Sequence, residues 1–205
     1  MSEIFDISQT LENGMPIWPG DTEFHSSWVM KLAAGESVNL GSVTMSLHSG
    51  THADAPLHFL AEGSAMDECA LSIYVGKAIV VDATDSDRIL ERHLAGLKPN
   101  DVERVLFKTR NEPQGKFSDE FSYFSLEAVR AIGRLAPVLV GTDSPSVDRF
   151  DSKTLDAHNG FATHGIAILE NLRLHHIEPG EYELIALPLR LVGMDASPVR
   201  AILRR

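Results

Sequence analysis

One cysteine, Cys69, stands among 205 residues, so no disulfide can form within the chain and no thiolate cluster can hold a metal. No apolar run approaches the ~18 residues that a membrane-spanning helix needs. Cations are scarce: Lys+Arg 18 against Asp+Glu 29 leave a formal net charge of -11, which on average repels a phosphate backbone or an anionic bilayer surface. Nucleic acid and membrane are therefore not expected partners. The first residues, MSEIFDISQT, are acidic and polar and carry no basic, apolar signal pattern, so the expected location is cytoplasmic. No repeat, low-complexity tract or Pro/Gly-rich linker divides the chain, and residues 1–205 read as a single domain. Histidine is the residue in surplus, nine in all, and any metal chemistry has to rest on imidazole and carboxylate ligands.

The pattern of the chain is mixed α/β. Residues 43–48 (VTMSLH) alternate apolar and polar, the period of a strand buried on one face and leading toward His48. Short β-branched or aromatic runs at 78–82, 105–109, 137–141 and 184–189 read as buried strands. Three- and four-residue apolar steps predict helices over 87–97 and 125–135, the second with Ser125 as N-cap and Glu127 in its first turn. A third helix is expected over roughly 160–173, with Ile166, Leu169 and Leu172 as its stripe. Residues 110–122, polar and holding Pro and Gly, read as an exposed loop bordering a site.

The chemistry concentrates at 48–59, HSGTHADAPLHF, which places His48, His52, Asp54 and His58 at spacings of four, two and four. A helix would put Asp54 well away from the two histidines, and Gly50 and Pro56 both oppose a helix. In an extended chain the even spacing sets all four on one side, with Gly50 allowing a turn and Pro56 fixing the bend before His58. Aligned imidazoles and a carboxylate are costly to bury unless a cation binds them, so a divalent metal site is the expected reading. Zinc suits these ligands, and manganese or another divalent ion is equally compatible. By pattern alone His158, in DAHNG, reads as a polar surface residue. Glu170, in AILENL, is either on a solvated face or turned inward to a cation. Trp18, between Pro16 and Pro19, reads as a core or lid tryptophan, and Cys69 as a small buried hydrophobe. His164 is the histidine placed to support His158 from behind. GTDSPSVD lacks a G-x-S-x-G elbow, so Ser144 and Ser146 read as turn residues, not nucleophiles.

HSGTHADAPLHF resembles the His-x-Gly-Thr-His-x-Asp-x-Pro-x-His signature of the metal-dependent cyclase-like hydrolases. Further matches are WPGD at 18–21, GTDSPSVD at 141–148, DAHN at 156–159, AILEN at 167–171 and ELIALPLRLVGMDASPVRAIL at 183–203. Together they resemble the bacterial formamidase branch of that family along nearly the whole chain. The resemblance implies a mixed-sheet α/β fold of the swivelling β/β/α type and a homodimer. It implies a two-zinc hydrolase that removes formate from N-formyl-L-kynurenine in tryptophan breakdown. Carried over by position, His48, His52 and Asp54 bind one metal, Asp54 bridges to the second, His158 binds the second and Glu170 bridges both. His58 would then transfer the proton, and Trp18 would touch the substrate ring. The competing readings are an isatin hydrolase-like enzyme of the same superfamily and a non-catalytic protein that uses the metal for stability.

Overall fold

The computed structural model describes residues 3–99, 101–111 and 117–205. In chain order its strands are β1 (Ile4–Asp6), β2 (His25–Met30), β3 (Leu40–Thr44), β4 (His52–Asp54), β5 (Val75–Asp82), β6 (Arg88–Ile89), β7 (Arg104–Lys108), β8 (Tyr123–Phe124), β9 (Leu139–Thr142), β10 (Ala167–Glu170), β11 (Gly180–Ile185), β12 (Ala196–Pro198) and β13 (Ile202–Arg204). Its α-helices are α1 (Leu126–Leu135) and α2 (Asp156–Thr163). Nine strands form one mixed sheet in the order β1-β13-β11-β5-β7-β9-β10-β4-β12. The β5-β7-β9-β10 strip is parallel, and the strands flanking it on both sides pair antiparallel. The fold is thus the expected mixed-sheet α/β class.

The central strands read as unbroken apolar runs because both faces of the strip are covered. Leu106, Leu139 and Leu169 enter one core with Met66, Tyr74 and Leu184. Their neighbours Val105, Phe107, Val140 and Ile168 point the other way, into a second core under α1 and α2 with Phe124, Ile132 and Phe161. The 125–135 helix forms as expected, with Ser125 Oγ accepting the Ala128 N–H at 3.2 Å. At its far end Ala136 takes a left-handed turn, φ 54°.

Four expectations need correction. Residues 87–97 form no α-helix: Arg88 and Ile89 pair with Tyr123 and Phe124 as a short parallel ladder, and only Glu91–Leu94 turn as a 3₁₀ helix. Ile89 on the ladder and Leu94 on the turn, five residues apart, instead both enter the second core, and Gly96 follows at φ 90°. The helix expected over 160–173 ends at Thr163. Gly165 reverses the chain at φ 66°, and Ala167–Glu170 continue as a strand parallel to β9. The strand expected at 43–48 runs Leu40–Thr44 and is exposed on both faces, because its partner is β2 in a separate two-stranded ribbon. The 184–189 strand lies earlier, over 180–185. Of the expected 110–122 loop, residues 112–116 lie outside the described residues.

Candidate metal centre and active site

The site lies where β4 is held between β10 and β12, at the sheet edge far from β1. Only His52 and Asp54 follow the even-spacing argument, since they are alternate residues of β4 and share a face while Ala53 enters the core. His48 arrives from the turn before β4, where Gly50 sits at φ 63° and a Cβ would come within 2.6 Å of Leu11 Cδ2. His58 arrives from a 3₁₀ turn over Pro56–His58, started by the proline. The four residues do converge, but through two turns and one strand.

Glu170 pairs directly opposite His52 across the β10–β4 ladder, so the inward-facing alternative is the one the fold adopts. His158 is on α2 and fully enclosed, not on the surface as its local pattern suggested. His52, Asp54, His158 and Glu170 are each at most 4% exposed. Asp54 Oδ1 lies 3.2 Å from His48 Nδ1 and 3.4 Å from His52 Nε2. Its other oxygen, Oδ2, lies 3.6 Å from His158 Nε2. Glu170 repeats this division, with Oε2 3.5 Å from His52 and Oε1 3.5 Å from His158. Asp54 therefore faces three imidazoles and Glu170 two, each carboxylate dividing its oxygens between the His52 side and His158.

Contacts outward from the cluster set which ring nitrogen is free. His52 Nδ1 donates to the Gly50 carbonyl at 2.9 Å, and His158 Nδ1 donates to Asp148 Oδ2 at 2.7 Å, leaving both Nε2 atoms turned to the carboxylates. Yet His52 Nε2 and both oxygens of Asp54 have no hydrogen-bond partner among the described residues. Buried polar atoms without partners are expensive, and a set of imidazole nitrogens and carboxylate oxygens left bare at 3.2–3.6 Å fits a divalent cation. Without a cation the charges compensate one another. Burial alone would push His52 and His158 down, but the carboxylates around them hold both up at about 10. Burial opposes the Asp54 charge, and the surrounding imidazoles more than offset it, keeping the carboxyl well below its usual range.

Above the cluster lies a cavity of about 1650 Å³, lined among others by Trp18, His48, His58, His158 and Glu170. Trp18 is half-buried against Phe150 at 5.1 Å, Phe117 at 5.5 Å and Phe121 at 6.0 Å between ring centroids, forming an aromatic wall. Its WPGD turn is tied to the His48 turn, because Ser46 Oγ donates to Asp21 Oδ2 and accepts the His48 N–H. The His58 ring is 4.1 Å from that of His48 and 6.0 Å from that of His158.

Two supporting carboxylates escaped the sequence reading. Asp148 holds His158 and also accepts the backbone N–H groups of Ala157 and His158 at the start of α2. His164, the expected support, instead lies against α1, where a Cβ on Gly133 would come within 2.3 Å of its Nε2. Asp195 bonds His48 and His58. An aspartate ten residues before the histidine was the only available signal for the first. Ser144 and Ser146 lie in the turns after β9, as read, and Cys69 is half-buried with its thiol donating to the Ala65 carbonyl.

A mixed α/β sheet that brings bare imidazoles and carboxylates together under an aromatic-walled cavity defines a hydrolytic enzyme with a candidate metal centre. The model of the cyclase family matches residues 5–149. A kynurenine formamidase of Bacillus cytotoxicus is 43% identical over 99% of this chain and 98% of its own. The structure of a potential metal-dependent hydrolase with cyclase activity aligns at a TM-score of 0.86 with 29% identity, covering 100% of this chain and 98% of that one. Isatin hydrolase A from Labrenzia aggregata shares the fold, at a TM-score of 0.82, 21% identity and 99% and 93% coverage. The chain belongs to the cyclase family. No helix among the described residues is long and apolar enough to cross a membrane.

Proposed function

We propose that residues 1–205 act as one domain that hydrolyses N-formyl-L-kynurenine to L-kynurenine and formate, a step of tryptophan degradation. The observation that carries this reading is the buried cluster of His48, His52, Asp54, His158 and Glu170, with its partnerless nitrogen and oxygen atoms, opening into the cavity walled by Trp18. Its support from relatives is a formamidase 43% identical along the chain.

In this reading His48, His52 and Asp54 would hold one divalent ion and Asp54 and His158 a second, with Glu170 serving both, the ions being zinc or manganese. Such ions supply Lewis acidity, which lowers the pKa of water toward ~7 and stabilises charge on a carbonyl oxygen. Trp18 and its phenylalanine neighbours take the aryl ring and orient the formamide toward the cluster. His58, which lines the cavity with its side chain 32% exposed, accepts the proton that water loses as its oxygen bonds to the formyl carbon. The same imidazole returns that proton to the aryl nitrogen as the C–N bond breaks. No serine or cysteine nucleophile is required.

The active species is proposed to be a homodimer. The β2–β3 ribbon stands apart from the main sheet and exposes Trp28, Val29, Leu40 and Val43, an apolar surface suited to a second copy.

The test is a spectrophotometric assay with N-formyl-L-kynurenine on the protein as isolated, after chelation, and after zinc or manganese is restored. Kynurenine release that chelation abolishes and one ion restores is the expected result. No release with either ion would move the substrate to another amide or lactam, isatin being the first to try. A His58→Ala variant that keeps its fold and metal should lose about 10²–10⁴-fold in turnover. Unchanged turnover would remove His58 from the mechanism, and a metal-binding protein with no turnover on any amide would be the non-catalytic alternative.

A further inference from the structure

His48 and His58 are not independent. Asp195 Oδ2 lies 3.0 Å from His48 Nε2 and 3.4 Å from His58 Nδ1, so one carboxylate oxygen faces both rings. The two imidazoles lie side by side over it, 4.1 Å between centroids and tilted by 42°. An ionised carboxylate only accepts hydrogen bonds, so the nitrogen that each ring turns toward Asp195 carries the hydrogen. For His48 this leaves the lone pair on Nδ1, the atom that faces Asp54 Oδ1 at 3.2 Å. Two lone-pair atoms at that distance repel unless a proton or a metal ion lies between them, and with Nε2 already holding a hydrogen toward Asp195 it is Nδ1 that is free to ligate. For His58 it leaves Nε2 as the basic atom of the ring. Among the described residues no other side chain bonds the His58 ring.

The backbone puts Asp195 in place. Its carbonyl accepts the Ala55 N–H at 2.9 Å, and the next residue, Ala196, pairs in register with Asp54 on β4. Asp195 therefore rides on the same ladder that carries two of the cluster residues, and changing its side chain leaves that ladder intact.

We propose that Asp195 is a positioning residue whose single oxygen sets the tautomers of both His48 and His58, coupling metal ligation to proton transfer. The proposal rests on the roles given above to His48 and His58. It predicts that loss of Asp195 weakens both functions at once, although Asp195 itself touches neither substrate nor metal.

The experiment compares the metal-loaded wild-type protein with Asp195→Ala and Asp195→Asn. Three readouts are taken: histidine-ring ¹H–¹⁵N spectra, metal affinity by chelator competition with zinc, and steady-state kinetics with N-formyl-L-kynurenine. In the wild type, His58 should carry its hydrogen on Nδ1. In Asp195→Ala that hydrogen should move to Nε2, the affinity for one zinc equivalent should fall about 10–100-fold, and kcat should fall by a similar factor while KM holds. Asp195→Asn keeps an acceptor oxygen and should recover part of each loss, and it carries the test if the alanine variant does not fold. Wild-type tautomers together with wild-type zinc affinity in a folded variant would overturn the proposal. If the wild-type enzyme fails to release kynurenine, the substrate assignment falls, while the spectra and zinc affinities still decide the role of Asp195.

Discussion

Replacing Asp148 with alanine tests whether the cluster is held from behind. α2 begins after Leu155, which sits at φ 48° and offers no capping side chain. Asp148 supplies the missing acceptor, taking the Ala157 N–H at 2.9 Å on Oδ1 and the His158 N–H at 3.1 Å on Oδ2. The same Oδ2 holds His158 Nδ1 at 2.7 Å. Loss of a helix cap costs about 1 kcal/mol, and loss of a charge-assisted bond to a buried group about 1.5–3 kcal/mol. The side chain of Asp148 is only 8% exposed, so water replaces it poorly. Asp148→Ala should then destabilise the protein by about 2.5–4 kcal/mol and weaken metal binding about 10–100-fold. Asp148→Asn, which keeps one acceptor oxygen, should fall between alanine and wild type. Urea unfolding of the metal-free protein, monitored by circular dichroism, reads the first quantity without the metal's own stabilisation, and chelator competition reads the second. A loss below about 1 kcal/mol for the alanine variant, with unchanged metal affinity, would show that packing of Ala157 and Phe161 holds His158 unaided.

Three further outcomes follow from the same geometry. In the metal-free protein His52 and His158 stand at about 10, above the ~6.5 of an unfolded histidine. Their stabilising contribution is therefore complete below pH ~6.5 and disappears as pH rises through about 10. Metal binding needs those imidazoles deprotonated, so the melting-temperature gap between metal-loaded and metal-free protein should widen from pH 7 to 10, and a constant or narrowing gap would refute the assignment. Ser125→Ala removes the cap of α1 and should cost about 1 kcal/mol in urea unfolding without changing metal content. Trp28→Lys combined with Val43→Glu should turn a dimer into a monomer by light scattering, and a mass unchanged by the pair would release the β2–β3 ribbon from that role.

What the sequence made legible follows from how local each signal is. The strands β5, β7 and β9 and the helix α1 announce themselves because apolar runs and a serine cap are contained in a few consecutive residues. His48, His52, Asp54 and His58 are likewise contiguous, and their convergence survives even though the extended-chain argument holds only for the middle pair. The helix expected over 160–173 failed because Ile166, Leu169 and Leu172 are buried by a sheet covered on both faces, which pattern cannot distinguish from a helical stripe. Glu170 looked ambiguous and His158 looked like a surface residue for a related reason: their partners His52 and Asp54 arrive from a strand distant in the chain. Asp195 was invisible, since the histidines it joins lie 147 and 137 positions away. The residue that sets a neighbour's orientation leaves no periodic trace.

The placement of β4 has a consequence for how the molecule forms. β4 pairs on one side with β10 and on the other with β12, and both come much later in the chain. Closing loops of that length costs chain entropy before any contact rewards it, so these pairings belong to the slow end of folding. Until they close, residues 48–58 are a fragment of the cluster, without Glu170 opposite His52 or His158 facing Asp54. A metal ion added during refolding thus meets no nucleus to accelerate. On the proposed metal reading, an ion would be expected to stabilise the finished protein and slow its unfolding while leaving the refolding rate that of the bare chain.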